Sequence, residues 1–320
     1  MSDCPIWTYS GNSSGRGSDF DSDCVIKPVN IYKNPLEKNS YLILCEELDT
    51  KEKPYDTNIR AWLRNLLGND KVKNKKVWIG YEQEYVFLKD GKILGWLDDK
   101  PVDNLYSGNI YDNTSPTREI SPYYCGRNVG ENIAREHMNA CIEAGVKICG
   151  INAEGMLGQW EYQIGPGNPI QMADDLWIAR GLMEKICDKY NITVSLDPKP
   201  SKVNKNPEES RPSDCHINIS TEDMRSENGV SNINSAIEIL EKKHHRDIKL
   251  FGTKNDERFK YINNRSSDFS WGIMKRSVSV RIPWQVAKDG KGYLEDRRPS
   301  ANCDPYLVVW RLIKTICMEI

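Results

Sequence analysis

Residues 78–96 read WIGYEQEYVFLKDGKILGW, and this stretch decides the fold class of the chain. Apolar and polar residues alternate on both sides of Asp90-Gly91, a pattern that predicts a β-hairpin turning at that dipeptide. Residues two apart in a strand point to the same face, so Glu82 and Glu84 lie side by side. Such a pair repels unless a cation lies between the carboxylates, although taken alone it also fits a solvated sheet face.

Two further stretches place chemically active side chains in strand-like surroundings. In NAEGMLGQWE, the glycines suit a tight reversal that brings Glu154 next to Glu161, which lies among aromatic residues where an unpaired charge is unfavourable. In CHINIS, His216 shares one strand face with Asn218 and Ser220. A single histidine on a strand is more often structural than a metal ligand.

The last acidic candidate is Glu295, two residues before Arg297 in EDRRPS. The candidates together are five glutamates and one histidine, and this oxygen-rich set suits Mg²⁺ or Mn²⁺ rather than a structural zinc. Six ligands fit two cations, and paired cations serve phosphoryl transfer. Arg276 and Arg281 flank SVSV and offer guanidinium groups to a phosphoryl group, although surface ion pairs would explain them too. No Walker-type glycine loop is present, so a nucleotide would be held by other means.

The composition of the chain bears on whether it binds nucleic acid or membranes and on the cellular compartment in which it is expected. The 320 residues carry 44 basic and 46 acidic side chains, a net charge of −2, so nothing draws the whole chain toward nucleic acid or an anionic membrane. No apolar run is long enough to span a bilayer, and the first residues lack the pattern of a secretion signal. The ten cysteines are scattered without a CxxC pair, as in proteins of a reducing compartment. We therefore expect a cytoplasmic protein that binds neither nucleic acid nor membrane.

Strand and helix patterns mix along the chain, which predicts an α+β fold of antiparallel strands with helices outside them. Residues 1–40 are rich in Ser, Gly, Asn and Asp and are predicted to be loop. A helix is expected from Asp56 to Leu67, capped by Asp56 or Thr57. Further helices are predicted at 131–144, 171–190, 231–245 and 305–318, and further strands at 41–46, 160–164, 192–196, 215–220 and 277–283.

The chain resembles the eukaryotic-type (type II) glutamine synthetases along ordered stretches from about Trp7 to the C-terminus. These stretches include WIGYEQEYVFL, GINAE, QWEYQIGP, CHINIS, SVSVRIP and KGYLEDRRPSANCDPY. The resemblance implies a divergent, N-terminally shortened member. Residues 1–70 would hold a remnant of a small β-grasp-like domain with a linker helix, and residues 71–320 the catalytic domain, with a curved antiparallel sheet and outer helices. It also implies homo-oligomeric rings with active sites between neighbouring subunits.

The resemblance implies a role for each candidate residue. One cation would be held by Glu84, Glu154 and Glu161, and a second by Glu82, His216 and Glu295. The nucleotide would contact Trp78, Asn218, Ser220 and Tyr293, and its phosphates Arg276 and Arg281. Arg297 would contact the substrate carboxylate or the acyl phosphate. The implied reaction is ATP-driven: glutamate forms γ-glutamyl phosphate, and ammonia then displaces phosphate to give glutamine.

The chain departs from the family pattern on the amino-acid and ammonia side. Ser10 stands where the family has an acid that helps bind ammonium. Residues 211–214 read RPSD where the family has an Asn-Gly-Ala-Gly loop. Ile262 stands where a flap glutamate helps deprotonate ammonium, and Arg258 is only a candidate for the flap arginine. Two function classes stay open: an ATP-dependent ligase, acting on glutamate or on a changed amino-acid or amine substrate, and an ATP- and metal-binding pseudoenzyme.

Overall fold

The computed structural model describes residues 4–16, 22–97, 100–101, 123–125, 128–200, 211–260 and 268–319. Strands and α-helices alternate through these residues, which confirms the expected α+β class. None of the described helices combines the length and the apolar character that crossing a bilayer requires.

A small antiparallel sheet stands at the start of the chain. Its strands, in spatial order, are β1 (Trp7–Ser10), β2 (Asp23–Lys33) and β3 (Tyr41–Leu48). The strand predicted at 41–46 is confirmed, but the loop predicted for residues 1–40 is wrong. The period-2 signal of β2 is weak because a bulge between Pro28 and Asn30 shifts its register, and polar residues fill many of its positions.

Eleven further strands follow within the described residues. They are β4 (Trp78–Lys89), β5 (Lys92–Ile93), β6 (Trp96–Leu97), β7 (Lys100–Pro101), β8 (Ile148–Ala153), β9 (Gln159–Gly167), β10 (Thr193–Ser195), β11 (Cys215–Ser220), β12 (Trp271–Ile273), β13 (Val280–Ile282) and β14 (Leu294–Asp296). β6 pairs with β7, and the other nine form one sheet in the order β12-β13-β14-β11-β4-β9-β8, with β5 and β10 also paired to β4. The sheet is mixed rather than purely antiparallel, because β12 and β13 run parallel.

The hairpin predicted from residues 78–96 is present as β4 and β5. Asp90 and Gly91 form its turn with φ angles of 52° and 75°. A positive φ at both turn residues matches the right-handed twist of the strands, which is why Asp-Gly is favoured there. β4 therefore enters the centre of the sheet in the register that the alternation predicts.

The described helices lie outside the sheets. They are α1 (Ile59–Leu67), α2 (Asp70–Lys73), α3 (Glu131–Ala144), α4 (Pro169–Lys189), α5 (Glu222–Arg225), α6 (Gly229–Lys242), α7 (His244–Asp247), α8 (Asn255–Lys260), α9 (Trp284–Asp289) and α10 (Pro305–Met318). The helices predicted at 131–144 and 305–318 have the expected bounds. The first helix begins later than predicted, because Asn58 caps it by accepting the Ala61 N–H at 3.0 Å, so neither Asp56 nor Thr57 is the cap.

The back of β4 is fixed to the core by a buried glutamine. Gln83 Oε1 accepts from Arg180 Nε and Nη2 of α4 at 3.0 and 2.6 Å, and Gln83 Nε2 donates to the Ala301 carbonyl at 3.1 Å. Tyr81 and Tyr85 are buried on the same side. The opposite face of β4 is therefore free to present Glu82 and Glu84, as predicted.

α1 connects the small sheet to the helices behind the large one. Arg60 Nε and Nη2 each lie 2.8 Å from the Asp174 carboxylate of α4, and Arg60 Nη1 lies 2.6 Å from Glu46 Oε1 of β3. Trp62 packs against Trp310 of α10 with ring centres 5.4 Å apart. The domain division at residue 70 stays a prediction.

Candidate active site

Three glutamates meet at the centre of the large sheet and are called here the acid triad (Glu84, Glu154 and Glu161). Glu84 on β4 pairs directly with Glu161 on β9, and Glu154 follows β8, which pairs with the other edge of β9. One carboxylate oxygen of each lies within 4.8 Å of the others. The chain reversal predicted between Glu154 and Glu161 is therefore present.

Neutral amide groups hold the acid triad. Glu84 Oε2 accepts from Gln159 Nε2 and from the Asp214 N–H, both at 3.0 Å. Glu154 Oε2 accepts the Gly155 N–H at 3.1 Å. These donors orient the carboxylates but bring no positive charge to offset theirs.

The ionised acid triad is unfavourable without a cation. Burial, together with the charges of Asp214 and Glu154, raises the pKa of Glu84 well above its usual range. Burial, followed by the charges of Glu82 and Glu154, raises the pKa of Glu161 to about 8. A bound cation would relieve both effects, so this all-oxygen donor set fits a hard divalent cation such as Mg²⁺ or Mn²⁺.

A second group, the mixed triad (Glu82, His216 and Glu295), lies on the adjacent strands β4, β11 and β14. His216 pairs in register with Glu82, and Glu295 pairs with Asn218. His216 Nδ1 lies 3.3 Å from Glu82 Oε2 and 3.7 Å from Glu295 Oε1. One ligand atom of each again lies within 4.8 Å of the others. The pairing of neighbouring strands therefore produces a second candidate cation site.

Positive groups surround the mixed triad. Arg281 Nη1 lies 2.8 Å from Glu295 Oε2, and Arg297 pairs with Glu295 Oε1. Burial raises the pKa of Glu82, but the hydrogen bond with His216, the charge of protonated His216, the Asn218 amide and the charge of Arg297 outweigh it, and the pKa falls to about 2. The charge of this triad is therefore already compensated by the protein, and two carboxylates with one imidazole fit Mn²⁺ or Mg²⁺.

The acid triad, together with Glu82 and His216 of the mixed triad, lines one cleft. The three arginines predicted to contact phosphate or substrate, Arg276, Arg281 and Arg297, line it too. Glu295 does not line the cleft itself but pairs with Arg281 and Arg297, which do. The Arg276 guanidinium donates to the Tyr123 hydroxyl at 2.5 Å and lies 4.9 Å from the centre of that ring. Arg297 Nε donates to the Arg276 carbonyl at 3.0 Å. Tyr123 is a residue of the cleft that the sequence analysis does not predict.

An apolar pocket adjoins the cleft and shares Glu82 with it. The four residues predicted to contact the nucleotide line this pocket: Trp78, Asn218, Ser220 and Tyr293. Asn218 Nδ2 donates to Glu82 Oε1 at 2.7 Å, while its Oδ1 is buried and has no hydrogen-bond partner among the described residues. Such an orphaned acceptor is satisfied by a donor on a ligand or a water.

The pocket contains a residue that the sequence did not indicate. The Arg225 guanidinium lies 4.2 Å from the Trp78 ring centre, and Arg225 Nη1 donates to Ser220 Oγ at 2.8 Å. Arg225 therefore fixes both an aromatic wall and a hydroxyl of the pocket.

The residues that depart from the family pattern are placed differently from one another. Ser10 ends β1, is exposed and is not among the residues lining the cleft. Arg211 lines the cleft and packs against Gly155. A Cβ at position 155 would come within 2.5 Å of the Arg211 guanidinium carbon, so this contact requires a glycine there. Arg258, the flap-arginine candidate, is fully buried and binds Asp214 instead of facing the cleft. Ile262 lies outside the described residues.

Comparison with known proteins gives the same assignment over most of the chain. The family "Glutamine synthetase, catalytic domain" matches residues 56–246. Glutamine synthetase of Panulirus argus is 39% identical over 330 residues, which cover 99% of this chain and 85% of the relative. The chain belongs to the glutamine synthetase family. A Drosophila melanogaster relative named "Glutamine synthetase 2 cytoplasmic" is 38% identical over 98% of this chain and 83% of its own length.

The fold agrees with a solved glutamine synthetase. The cryo-EM structure of Plasmodium falciparum glutamine synthetase matches with a TM-score of 0.74 at 17% identity, over 97% of this chain and 65% of that chain. Membership of the glutamine synthetase family makes the chain an ATP-dependent ligase of glutamate and ammonia that uses divalent cations. It does not favour the pseudoenzyme that the sequence had left open.

Proposed function

We propose that the cleft is the active site of the glutamate–ammonia ligase, with one Mg²⁺ or Mn²⁺ at the acid triad and another at the mixed triad. The observation that carries this proposal is that six predicted ligands form two compact groups on neighbouring strands, beside a pocket with an orphaned acceptor. Clustered, buried carboxylates are unstable without a cation, which supports a metal role over a structural one.

The nucleotide pocket lies at the mixed-triad end of the cleft. We assign the adenine to the side of Trp78 and Tyr293, because these two exposed aromatic rings line the apolar part of the pocket. Asn218 and Ser220 offer polar atoms to the nucleotide. The phosphates then extend toward Arg276 and Arg281 across the cleft.

The reaction follows from these positions. The side-chain carboxylate of glutamate attacks the γ-phosphate of ATP, ADP leaves, and ammonia then displaces phosphate from γ-glutamyl phosphate. Arg276 and Arg281 neutralise charge on the transferred phosphoryl group, and Arg297 orients the carboxylate or the acyl phosphate. When bound, the cations add positive charge at the phosphate oxygens. Positioning and electrostatics therefore supply most of the acceleration.

The test is ADP formation that requires Mg²⁺, glutamate and ammonia together, with glutamine identified as the product. Arg281→Met should lower kcat by about 10³-fold or more, the usual effect of an arginine that stabilises a phosphoryl transition state. Glu143→Gln, a change in an exposed ion pair with Lys33, is the matched control and should leave kcat unchanged. ADP release that does not depend on glutamate and ammonia would contradict the proposal.

We further propose a cytoplasmic homo-oligomer. The strand register places Trp7, Ile31, Tyr41 and Ile43 on one exposed face of the small sheet, and such an apolar face supports burial against a second copy. The thiols, free throughout the described residues, support a reducing compartment. Native mass spectrometry should show multiples of the 36.7 kDa chain, and cell fractionation should place the protein with cytoplasmic rather than mitochondrial markers.

A further inference from the structure

His216 presents only one of its two ring nitrogens to the other members of the mixed triad. Nδ1 faces Glu82 and Glu295 at 3.3 and 3.7 Å, and Nε2 lies 3.0 Å from Asp214 Oδ2. The imidazole is buried, so these contacts determine which nitrogen carries a proton.

Asp214 is itself fixed by a buried arginine. Asp214 Oδ1 accepts from Arg258 Nη1, and both side chains are almost completely inaccessible to solvent. Arg258 also donates through Nε to Asn255 Oδ1 at 2.7 Å and through Nη2 to the Arg298 carbonyl. The guanidinium can only donate, and the ionised carboxylate can only accept. Among the described residues, Asp214 Oδ1 therefore faces Arg258 and Oδ2 faces His216.

We propose that Asp214 is a positioning residue for the metal site, which holds the proton of His216 on Nε2 so that the Nδ1 lone pair faces the cation. The inference rests on the proposed metal role of the mixed triad. A carboxylate that accepts from the second nitrogen of a ligating histidine fixes its tautomer and orientation. Asp214 stands where the family pattern has glycine, which has no side chain, so this contact belongs to the chain's own RPSD segment.

The competing role for Asp214 is direct ligation. One ligand atom of each of Asp214, Glu84 and His216 lies within 4.8 Å of the other two. Direct ligation would, however, bring a cation close to the proton on His216 Nε2 or to the Arg258 guanidinium, because these groups face the two oxygens of Asp214. The geometry favours positioning.

Asp214→Asn tests the tautomer directly. Arg258 can only donate, so the amide oxygen of Asn turns toward Arg258 and the NH₂ group turns toward His216 Nε2. His216 is then driven to carry its proton on Nδ1, which blocks coordination. We expect the Mn²⁺ affinity of the mixed triad, the weaker of two sites in calorimetry, to fall 10–100-fold. The ¹⁴N modulation in the electron spin echo of bound Mn²⁺, present in the unaltered protein, should be lost.

Two double variants separate positioning from simple pairing of Arg258, and neither leaves a buried guanidinium unpaired. In Asp214→Asn/Arg258→Met the amide oxygen is free to turn to His216, so affinity and ¹⁴N modulation should recover. In Asp214→Ala/Arg258→Met no acceptor faces Nε2, and affinity should stay at least about tenfold low. Equal affinity in the two double variants would overturn the proposal.

The control is Asp247→Asn, which alters another buried aspartate–arginine pair, with Arg311, on helices away from the cleft. It should lower the melting temperature of the metal-free protein without changing Mn²⁺ affinity. Failure of the unaltered protein to bind Mn²⁺ would refute the proposed function itself. Normal binding by the unaltered protein with unchanged affinity in Asp214→Asn would refute only the positioning role.

Discussion

The acid triad and the mixed triad share strand β4, and both contribute residues to one cleft. The negative charge of their carboxylates is compensated in opposite ways. Glu84 and Glu82 are two residues apart on the same face of β4. Glu84, Glu154 and Glu161 accept hydrogen bonds from uncharged amides, and burial and repulsion between carboxylates raise their pKa values. Glu82 has His216 and Arg297 nearby, which lower its pKa to about 2. Identical side chains on one strand thus acquire opposite acidities from their neighbours.

The difference indicates how each triad meets its cation. The acid triad gains a compensating charge when a cation binds. At the mixed triad, a cation competes with Arg281 and Arg297 for Glu295, and an arginine released from that contact is free to face phosphate. The acid triad should therefore bind its cation more tightly, and the mixed triad should bind best when nucleotide is present.

The largest effect should be on activity, and it should not distinguish the triads. Glu161→Gln and Glu295→Gln each remove one ligand, and a cation contributes several kcal/mol of transition-state stabilisation, so kcat should fall by about 10³-fold in both. Steady-state ADP release checks this, with Glu143→Gln as control. Retention of more than a tenth of the activity in either variant would remove that glutamate from the metal sites.

The second effect is on the stability of the metal-free protein, and it should have opposite signs in the Glu295→Gln and Glu161→Gln variants. Glu295→Gln removes the buried carboxylate that pairs with Arg281 and Arg297, and it should lower the free energy of unfolding by about 3 kcal/mol. Glu161→Gln removes a buried repelling charge and should raise stability at about pH 9, where that carboxyl is ionised. Urea unfolding in EDTA measures both, and equal losses would break the contrast between the triads.

The third effect is the stabilisation of the folded protein by bound Mn²⁺. Mn²⁺ at 100 times its Kd should add about 2.7 kcal/mol to the free energy of unfolding, by mass action on the folded state. Calorimetry should resolve two sites, of which Glu161→Gln removes the tighter and Glu295→Gln the weaker. If Glu295→Gln abolishes the tighter site, the order proposed for the triads is reversed.

The last effect, the smallest per unit of pH, is on the pH dependence of stability. The raised pKa of Glu161 means that the folded metal-free protein keeps a proton that the unfolded chain has released. Its stability contribution is therefore complete below the ordinary pKa near 4.5 and is lost as pH rises through about 8. Glu82 behaves oppositely: its contribution is present above about 4.5 and is lost as pH falls through about 2.

Subtracting the unfolding free energy of Glu161→Gln from that of the unaltered protein isolates the Glu161 contribution. The difference should become less favourable by up to about 1.4 kcal/mol per pH unit between about pH 5 and about pH 8. Saturating Mn²⁺ should abolish this trend, because the ligated carboxylate is ionised throughout. A flat difference in EDTA would show that Glu161 is not protonated in the folded state.

Sequence reasoning located the ligands because strand periodicity is local. Glu82, Glu84 and His216 occupy same-face positions that alternation alone reveals, and their grouping followed once the strands paired. The Asp214–Arg258 contact joins positions 44 apart through burial, and no local pattern reports such a contact. Asp214 did have a weak signal, since it lies two residues before His216 in the same extended segment.

Secondary structure was missed where elements are short or their alternation is broken. β12 and β14 have three residues each, too few to show a period. β2 was hidden by its bulge and its polar composition, so residues 1–40 were predicted as loop. The cap of α1 moved to Asn58 because three neighbouring residues all suit a cap, and only the contact with Ala61 selects one.

The two-sided anchoring of β4 has a consequence for how this gene can vary. Gln83 is bound by Arg180 behind the strand, while the glutamates beside it serve the front. A point substitution at one position leaves the other positions facing the correct way. Inserting or deleting a single codon in this strand would turn the glutamates into the core and the glutamine into the cleft. Natural variants should therefore show exchanges of residues in β4 but no length changes.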